Sequence, residues 1–303
     1  MDGFLVIDKA VDMTSHDVVA IIRRTLGQKK VGHTGTLDPF ATGVLPLALG
    51  EGTKAIPFLD ESRKEYRAVM RLGEATDTQD LTGRVISRND WQQIDPAGIQ
   101  AVAGQFIGTI PQLPPMFSAL KRNGVPLYKL ARQGVDVERK PRDVEIVSLD
   151  VERIDLPDVT FNVVCSRGTY VRTLAADIGQ RLGCGAHLRE LRRIRSGPFV
   201  ITDAVTIAQV AEAAAGNKLE QLVVSPLAAL GHLPELQLTA RGEAKVGHGI
   251  VPGTDDVEVT TDQALPAGNV RLVRSGRLVA VAEATLADNV GCVKLAKLLR
   301  VFN

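Results

Sequence analysis

Apolar positions recur along the chain in two rhythms, one of period two and one near 3.6, and the rhythm changes from segment to segment. Phe4–Ile7 is a short apolar run of strand character that ends at Asp8-Lys9. Val18, Val19, Ile22 and Leu26 then repeat at helical spacing. Thr14-Ser15 offers the N-cap, Asp17 lies in the first turn, Arg23-Arg24 close the last turn and Gly27 stops it. Tyr66, Ala68, Met70 and Leu72 fall on one face of an alternating strand. Ile94 to Phe106 has the pattern of an amphipathic helix, and Val159–Cys165 that of a buried strand. The latter runs through Ser166-Arg167-Gly168 into a helix opening near Thr169, with Val171, Leu174, Ala175 and Ile178 as its apolar stripe. Thr206 to Leu230 reads as helical and alanine-rich, with Pro226 marking a boundary. Beyond about Leu233 the pattern shifts to short strands and glycine turns, and Val270–Val273 and Leu278–Val281 flank Ser275-Gly276 as a hairpin.

One stretch fits neither rhythm. Gly32 to Pro46 holds a single carboxylate, Asp38, and no other charge follows until Glu51. Its glycines, Gly32, Gly35 and Gly43, open backbone conformations closed to other residues, and Pro39 and Pro46 fix φ. The segment reads as an ordered loop laid against the core. From the residues alone, Asp38 is either the cap of a turn or a desolvated, reactive carboxylate, with His33 near enough to share its pocket.

Composition narrows the classes. With 45% apolar and 23% charged residues, 303 residues make an ordinary globular chain with one sizeable core and room for a smaller domain. Net charge is only +1, so any nucleic-acid surface must come from local patches. One such patch runs from Lys121 to Arg142, where seven basic residues stand against Asp136 and Glu138. Arg189, Arg192, Arg193 and Arg195 form a second. Cys165, Cys184 and Cys292 are odd in number and widely spaced, which argues against a disulfide framework or a zinc site and for buried reduced thiols. Gly50-Glu51-Gly52-Thr53-Lys54 lacks the spacing of a phosphate-binding NTPase loop. Asp77 and Asp80 have no third ligand nearby and read as a polar turn, so no metal is expected. No apolar run approaches a membrane span, and Met1-Asp2-Gly3 has no basic leader region, so the expected location is cytoplasmic.

The run His33-Thr34-Gly35-Thr36-Leu37-Asp38-Pro39 with Ala41-Thr42-Gly43-Val44-Leu45-Pro46 resembles the active-site motif of the TruB family, the tRNA pseudouridine-55 synthases. Three further blocks resemble the same family: Lys64-Glu65-Tyr66, Pro114 to Gly134, and Cys165 to Leu174 with Gly183–Leu188 and Leu191-Arg192-Arg193. Two positions depart from the family pattern, Ala10 for a proline and Phe117 for a more usual tyrosine. The resemblance implies an α+β fold with a mixed, mostly antiparallel sheet and flanking helices. It also implies a catalytic domain over residues 1–230, a thumb-like basic insertion at about 111–142, and a small PUA-like β-barrel for RNA over 231–303.

The same resemblance implies the roles. Asp38 is the catalytic carboxylate, Arg172 its ion-pair partner 134 residues on in sequence, and Tyr66 the group that stacks on the base and can take the C5 proton. His33, Tyr170, Lys9, Leu191, Lys121 and Arg132 are expected to bind substrate. The implied substrate is the T-arm of tRNA, with its target uridine flipped out of the stack. No cofactor, protein partner or membrane is implied, and a monomer is expected. Two other classes compete. An RNA-binding or RNA-folding protein would carry the basic patches without needing a paired aspartate. A nucleoside hydrolase would need a second acid, for which Asp77 or Asp80 is the only nearby candidate.

Overall fold

The computed structural model describes residues 1–258, 267–286 and 293–302. Ten strands form one long sheet. Along it lie Val223–Val224, Gly3–Lys9, Thr42–Leu49, Ala186–Ser196, Arg63–Leu72, Asp158–Ser166, Arg142–Asp155 and Gly108–Gln112. Val31–His33 and Phe199–Val200 pair beside this path. Every pairing in the sheet is antiparallel except that of Thr42–Leu49 with Ala186–Ser196. The parallel contact is short, Arg192 opposite Thr42 and Arg193 opposite Gly43, and it brings two distant sequence blocks together at the middle of the sheet. Gly43 has φ 99°, and a Cβ there would lie 2.3 Å from the Arg193 carbonyl oxygen, so only glycine permits this approach.

Burial explains the sequence rhythms. Leu5, Ile7, Leu45, Leu47 and Leu49 face a core under the helices Ser15–Leu26, Pro96–Gly104, Val171–Arg181 and Ile207–Ala215. Phe4, Val6, Val44 and Ala48 face a second core that also contains Leu278 and Val281 of the C-terminal sheet. A strand covered on both faces must be apolar throughout, which is why these runs do not alternate. Tyr66, Ala68, Met70 and Leu72 are all buried on one face of their strand, as the alternation predicts.

The caps of the first helix are those of its sequence. Thr14 and Asp17 form a capping box and Gly27 closes it with φ 60°. Ser15 is not part of the cap; it is buried beneath the Asp38 loop.

Several expectations change. The stretch read as one loop is a loop only from 34 to 41, because Val31–His33 and the continuous apolar run Thr42–Leu49 pair as strands. Gly32 and Gly35 keep negative φ, unlike Gly43. Residues 206–230 are not one helix: Gly216 and Asn217 (φ 55°) end it, and the β-branched pair Val223-Val224 adds an edge strand against Phe4 and Leu5. The second basic patch is neutralised. Arg192 pairs with Asp8 (2.7 Å), Arg195 with Glu65 (3.8 Å) and Arg189 with Asp158, while Arg193 is wholly buried.

Among the described residues from 235 to 301 the chain forms a separate five-stranded sheet with one α-helix, Ala240–Gly247, that the strand pattern did not announce. Its hairpin turns at Ser275 (φ 49°) and Gly276 (φ 71°), a two-residue loop with both central residues left-handed. Cys165 and Cys184 are buried and free; Cys292 lies outside the described residues. Among the described residues no helix is long and apolar enough to cross a membrane, and no three His, Cys, Asp or Glu side chains group to hold a metal.

Candidate active site

Asp38 projects from the 34–41 loop onto the start of the Val171–Arg181 helix. Arg172 Nε lies 2.9 Å from Asp38 Oδ2, and Nη2 lies 3.4 Å from Oδ1, which closes a bidentate pair across 134 residues. The Arg172 side chain is 4% exposed whereas that of Asp38 keeps 34% of its surface open. One partner is therefore fixed inside the protein and the other is presented to whatever enters. Arg172 Nη1 also donates to the Thr78 carbonyl (2.8 Å) and Nη2 to the Phe117 carbonyl (2.8 Å).

Asp80 completes the guanidinium's shell, with Oδ2 at 3.3 Å from Nη1. It is not the surface turn that its polar neighbours imply. Its side chain is 6% exposed, and its Oδ1 accepts from the Thr78 hydroxyl (2.8 Å), the Thr82 hydroxyl (2.6 Å) and the Thr82 amide (3.0 Å). The threonines that made the segment read as solvated are the groups that allow its carboxylate to be buried. Desolvation lifts the Asp38 carboxyl above the ordinary aspartate range, Arg172 pulls it back, and Asp80 adds to the lift.

The loop is held residue by residue. Arg193 Nε donates to the Val44 carbonyl (2.7 Å), Nη1 to Thr36 (3.2 Å) and Nη2 to Gly35 (3.3 Å). The Ser15 hydroxyl accepts from the Leu37 amide (2.9 Å) and donates to the Leu37 carbonyl (3.1 Å). Lys9 Nζ donates to the carbonyls of Ala10, Met13 and Pro39 (2.8, 2.8 and 3.1 Å). Lys9 is fully buried, so the structure places it behind the loop. Burial holds its amine down at about 8, against the pull of Asp38.

The aromatic groups line the same space. Tyr66 is buried, and desolvation pushes its phenol up to about 12 against the opposing charge of Arg193. Tyr170 caps the helix that carries Arg172. Its backbone N–H donates to Gln112 Oε1 (2.7 Å) and its carbonyl accepts from Gln112 Nε2 (3.1 Å), so one buried amide fixes it from both sides. His33 is half-buried, edge-on to His16 at 5.3 Å between ring centroids. Burial, with His16, Arg193 and Lys64 beside it, lowers its pKa and keeps the ring neutral. Leu191 packs in the core that also holds Tyr66.

Lys121 and Arg132 lie elsewhere, exposed on the hairpin Lys121–Arg122/Val125–Pro126 and the helix Leu127–Arg132, with the Arg132 guanidinium 5.6 Å from the Tyr128 ring. That segment touches the site at its root, through the Phe117 carbonyl on Arg172. Sequence reasoning read Asp80 as part of a polar turn and Ser15 as part of a cap, and passed over Gln112 and the buried state of Arg193.

A long mixed sheet with one aspartate–arginine pair over its centre defines the pseudouridine synthase fold, and solved structures agree. The chain superimposes on a Cbf5-Nop10-Gar1 complex with TM-score 0.73 at 28% identity, covering 97% of this chain and 83% of that one. An H/ACA RNP bound to a substrate RNA containing 2'-deoxyuridine gives TM-score 0.74 at 26% identity, covering 99% and 85%. Residues 23–171 match the TruB family pseudouridylate synthase N-terminal domain, and residues 172–230 the tRNA pseudouridylate synthase B C-terminal domain. The chain belongs to the TruB family of pseudouridylate synthases. It is 57% identical to tRNA pseudouridine synthase B of Geotalea uraniireducens (strain Rf4), over 100% of this chain and 98% of that one. It is 58% identical to the protein of that name in Geobacter sulfurreducens (strain ATCC 51573 / DSM 12127 / PCA), over the whole of both.

Proposed function

We propose that the protein isomerises uridine 55 in the T-loop of tRNA to pseudouridine. The observation that carries this reading is the partly open Asp38 carboxylate paired with a buried Arg172, in a chain of this family. The reaction breaks the N1–C1′ bond, turns the base and rejoins it through C5, with no net gain or loss of atoms. An ionised Asp38 starts it, by attack at C1′, by attack at C6, or by taking the ribose C2′ proton. Arg172 keeps that carboxylate charged and aimed, and Asp80 with the Thr78 and Phe117 carbonyls keeps Arg172 in place.

Tyr66 stacks on the flipped base. With its phenol at about 12 it is protonated at neutral pH, so taking the C5 proton requires it first to lose its own, a loss that the neighbouring Arg193 charge favours. Tyr170 packs against the nucleotide, His33 fills the space that the base vacates, and Leu191 supports the pocket. Base extrusion costs a few kcal/mol, met by contacts to the T-arm's shape and phosphates.

Residues 1–230 act as the catalytic domain, with the thumb of about 111–142 closing on RNA through Lys121 and Arg132. Residues 231–303 act as a PUA-like RNA-binding domain. Lys9 serves the site indirectly, by holding the Pro39 end of the loop. The protein works as a cytoplasmic monomer without a protein partner or cofactor.

The test is tritium release from C5-labelled uridine in a T-arm RNA. Wild type is expected to release tritium and Asp38→Asn to release none while still binding the RNA. Equal release from both removes Asp38 from the chemistry. No release from either, with tight binding, favours an RNA-binding protein without catalysis.

A further inference from the structure

Four cationic side chains crowd the Asp38 loop, and three of them are engaged. Lys9 and Arg193 each donate to three backbone carbonyls, and Arg172 to two carboxylates and two carbonyls. Lys64 has neither a hydrogen bond nor an ion pair among the described residues. It lies two positions before Tyr66 on the Arg63–Leu72 strand, on the same face, with Cys165 opposite it on one neighbour and Ser196 on the other. Its ammonium reaches across to the loop: a Cβ on Gly35 would lie 3.1 Å from Nζ. Gly35 has no left-handed φ, so what the missing side chain supplies there is room beside that ammonium.

The same corner collects other unsatisfied groups. His33 Nδ1, Thr34 Oγ1 and Ser196 Oγ are buried without a partner. His33 and Thr34 lead directly into Gly35, and Ser196 is the cross-strand neighbour of Lys64. Arg193 and Arg167 face the ammonium with like charge; Glu61 faces it with opposite charge, its Oε2 engaged by Arg167 at 3.3 Å and its Oε1 buried without a partner. Desolvation, with those cations, holds the Lys64 amine down at about 8. A half-buried cation without a partner and two buried hydroxyls left without acceptors leave a place for an anion.

We propose that this corner is a phosphate subsite, in which Lys64, with the Thr34 and Ser196 hydroxyls, takes an RNA backbone phosphate adjacent to the flipped nucleotide. Two strand residues span about 7 Å, so Tyr66 can hold a base while Lys64 holds its neighbouring phosphate. The assignment rests on the RNA-modifying function proposed above.

The experiment uses the full chain, wild type, Lys64→Met and Lys64→Arg, with a T-arm RNA and with two versions carrying a neutral methylphosphonate on the 5′ or 3′ side of the target uridine. Lys64→Met is expected to raise Kd about tenfold. It also flattens the log–log salt dependence of binding by about 0.7 to 0.9, the share of one phosphate, and Lys64→Arg restores the slope. One of the two methylphosphonates weakens wild type by the same factor and leaves Lys64→Met unaffected. Lys64→Met also keeps or raises the melting temperature of the free protein at pH 7, because it removes a half-buried charge that has no partner. An unchanged Kd and salt slope, or a melting temperature that falls while Kd holds, overturns the subsite and makes Lys64 an internal partner of Glu61. Tritium release by wild type on the same RNA reports the parent function separately, since the salt slope reads the subsite even where no release occurs.

Discussion

Two segments meet at Arg172 and are held in opposite ways. In the 34–41 loop the carbonyls of Gly35, Thr36 and Pro39 and both backbone groups of Leu37 are bound by buried side chains. The segment from 113 to 140 is a two-residue-strand hairpin and a six-residue helix, tied to the site chiefly by the Phe117 carbonyl. Its cations Lys121, Lys129, Arg132 and Lys140 are exposed, and no ion pair engages them among the described residues. The contrast fits the roles proposed for the two segments. A carboxylate that starts a reaction must be in position before substrate arrives, since a misplacement of about 1 Å can cost 10²-fold in rate. Cations that grip a polyanion gain from being free, because each bond they already make at home must be given up on binding.

The largest effect comes from cutting the tether. Arg193→Met leaves the Gly35, Thr36 and Val44 carbonyls without their donor in a wholly buried site. The expected loss is about 3 kcal/mol of stability, a fall in melting temperature of about 6 °C or more, and tritium release slowed at least 100-fold. Calorimetry and the release assay check both. Normal turnover with an unchanged melting temperature would mean that the loop holds itself, and the contrast would be lost.

A middle effect separates position from charge. Asp80→Asn keeps the shape of the turn but removes the second carboxylate on Arg172. Turnover at saturating RNA is expected to fall about 10- to 100-fold with Kd unchanged. The acid side of the pH profile gives the sign. Asp38 must be ionised to act, so activity is lost as pH falls through its raised pKa. Asp80 is one cause of that lift, so Asp80→Asn moves the acid limb to lower pH. A limb that moves up, or does not move, shows that Asp80 acts on Asp38 by packing alone.

The same contrast explains what the sequence displayed and what it concealed. Elements with a strong local code were readable: the capping box at Thr14 and Asp17, the alternation from Tyr66 to Leu72, the two-residue turn at Ser275-Gly276. Asp38 stood out because nothing charged surrounds it in sequence. Its setting did not, because the groups that fix the loop come from Lys9, Ser15 and Arg193, and their work is done with backbone carbonyls, which every residue has. Arg193 sat in a run of arginines and looked like its neighbours. The acids opposite them, Asp8, Glu65 and Asp158, arrive through strand pairing and leave no local trace. Asp80 hid behind threonines whose hydroxyls turn inward to it.

The smallest effects belong to the 113–140 segment, and they are informative because of their form. Lys121→Ala and Arg132→Ala are each expected to weaken T-arm binding about 3- to 10-fold at moderate salt and to flatten the salt slope by about one unit or less. Melting temperature stays within about 1 °C for Lys121→Ala, whose side chain is exposed and unpaired, and falls by about 1 to 3 °C for Arg132→Ala, which also loses the contact with the Tyr128 ring. Turnover at saturating RNA stays at the wild-type rate, because neither group touches the Asp38–Arg172 pair. Arg132→Lys sharpens the point. It keeps the charge and so restores the slope, but it weakens the stacking of a flat guanidinium on Tyr128, which at 5.6 Å contributes about 0.5–1 kcal/mol to the shape of the helix. A slope restored by lysine assigns Arg132 to grip by charge. A slope that stays flat, with turnover reduced, would instead make the 113–140 segment part of the positioned machinery, and the two segments would then differ in exposure but not in kind.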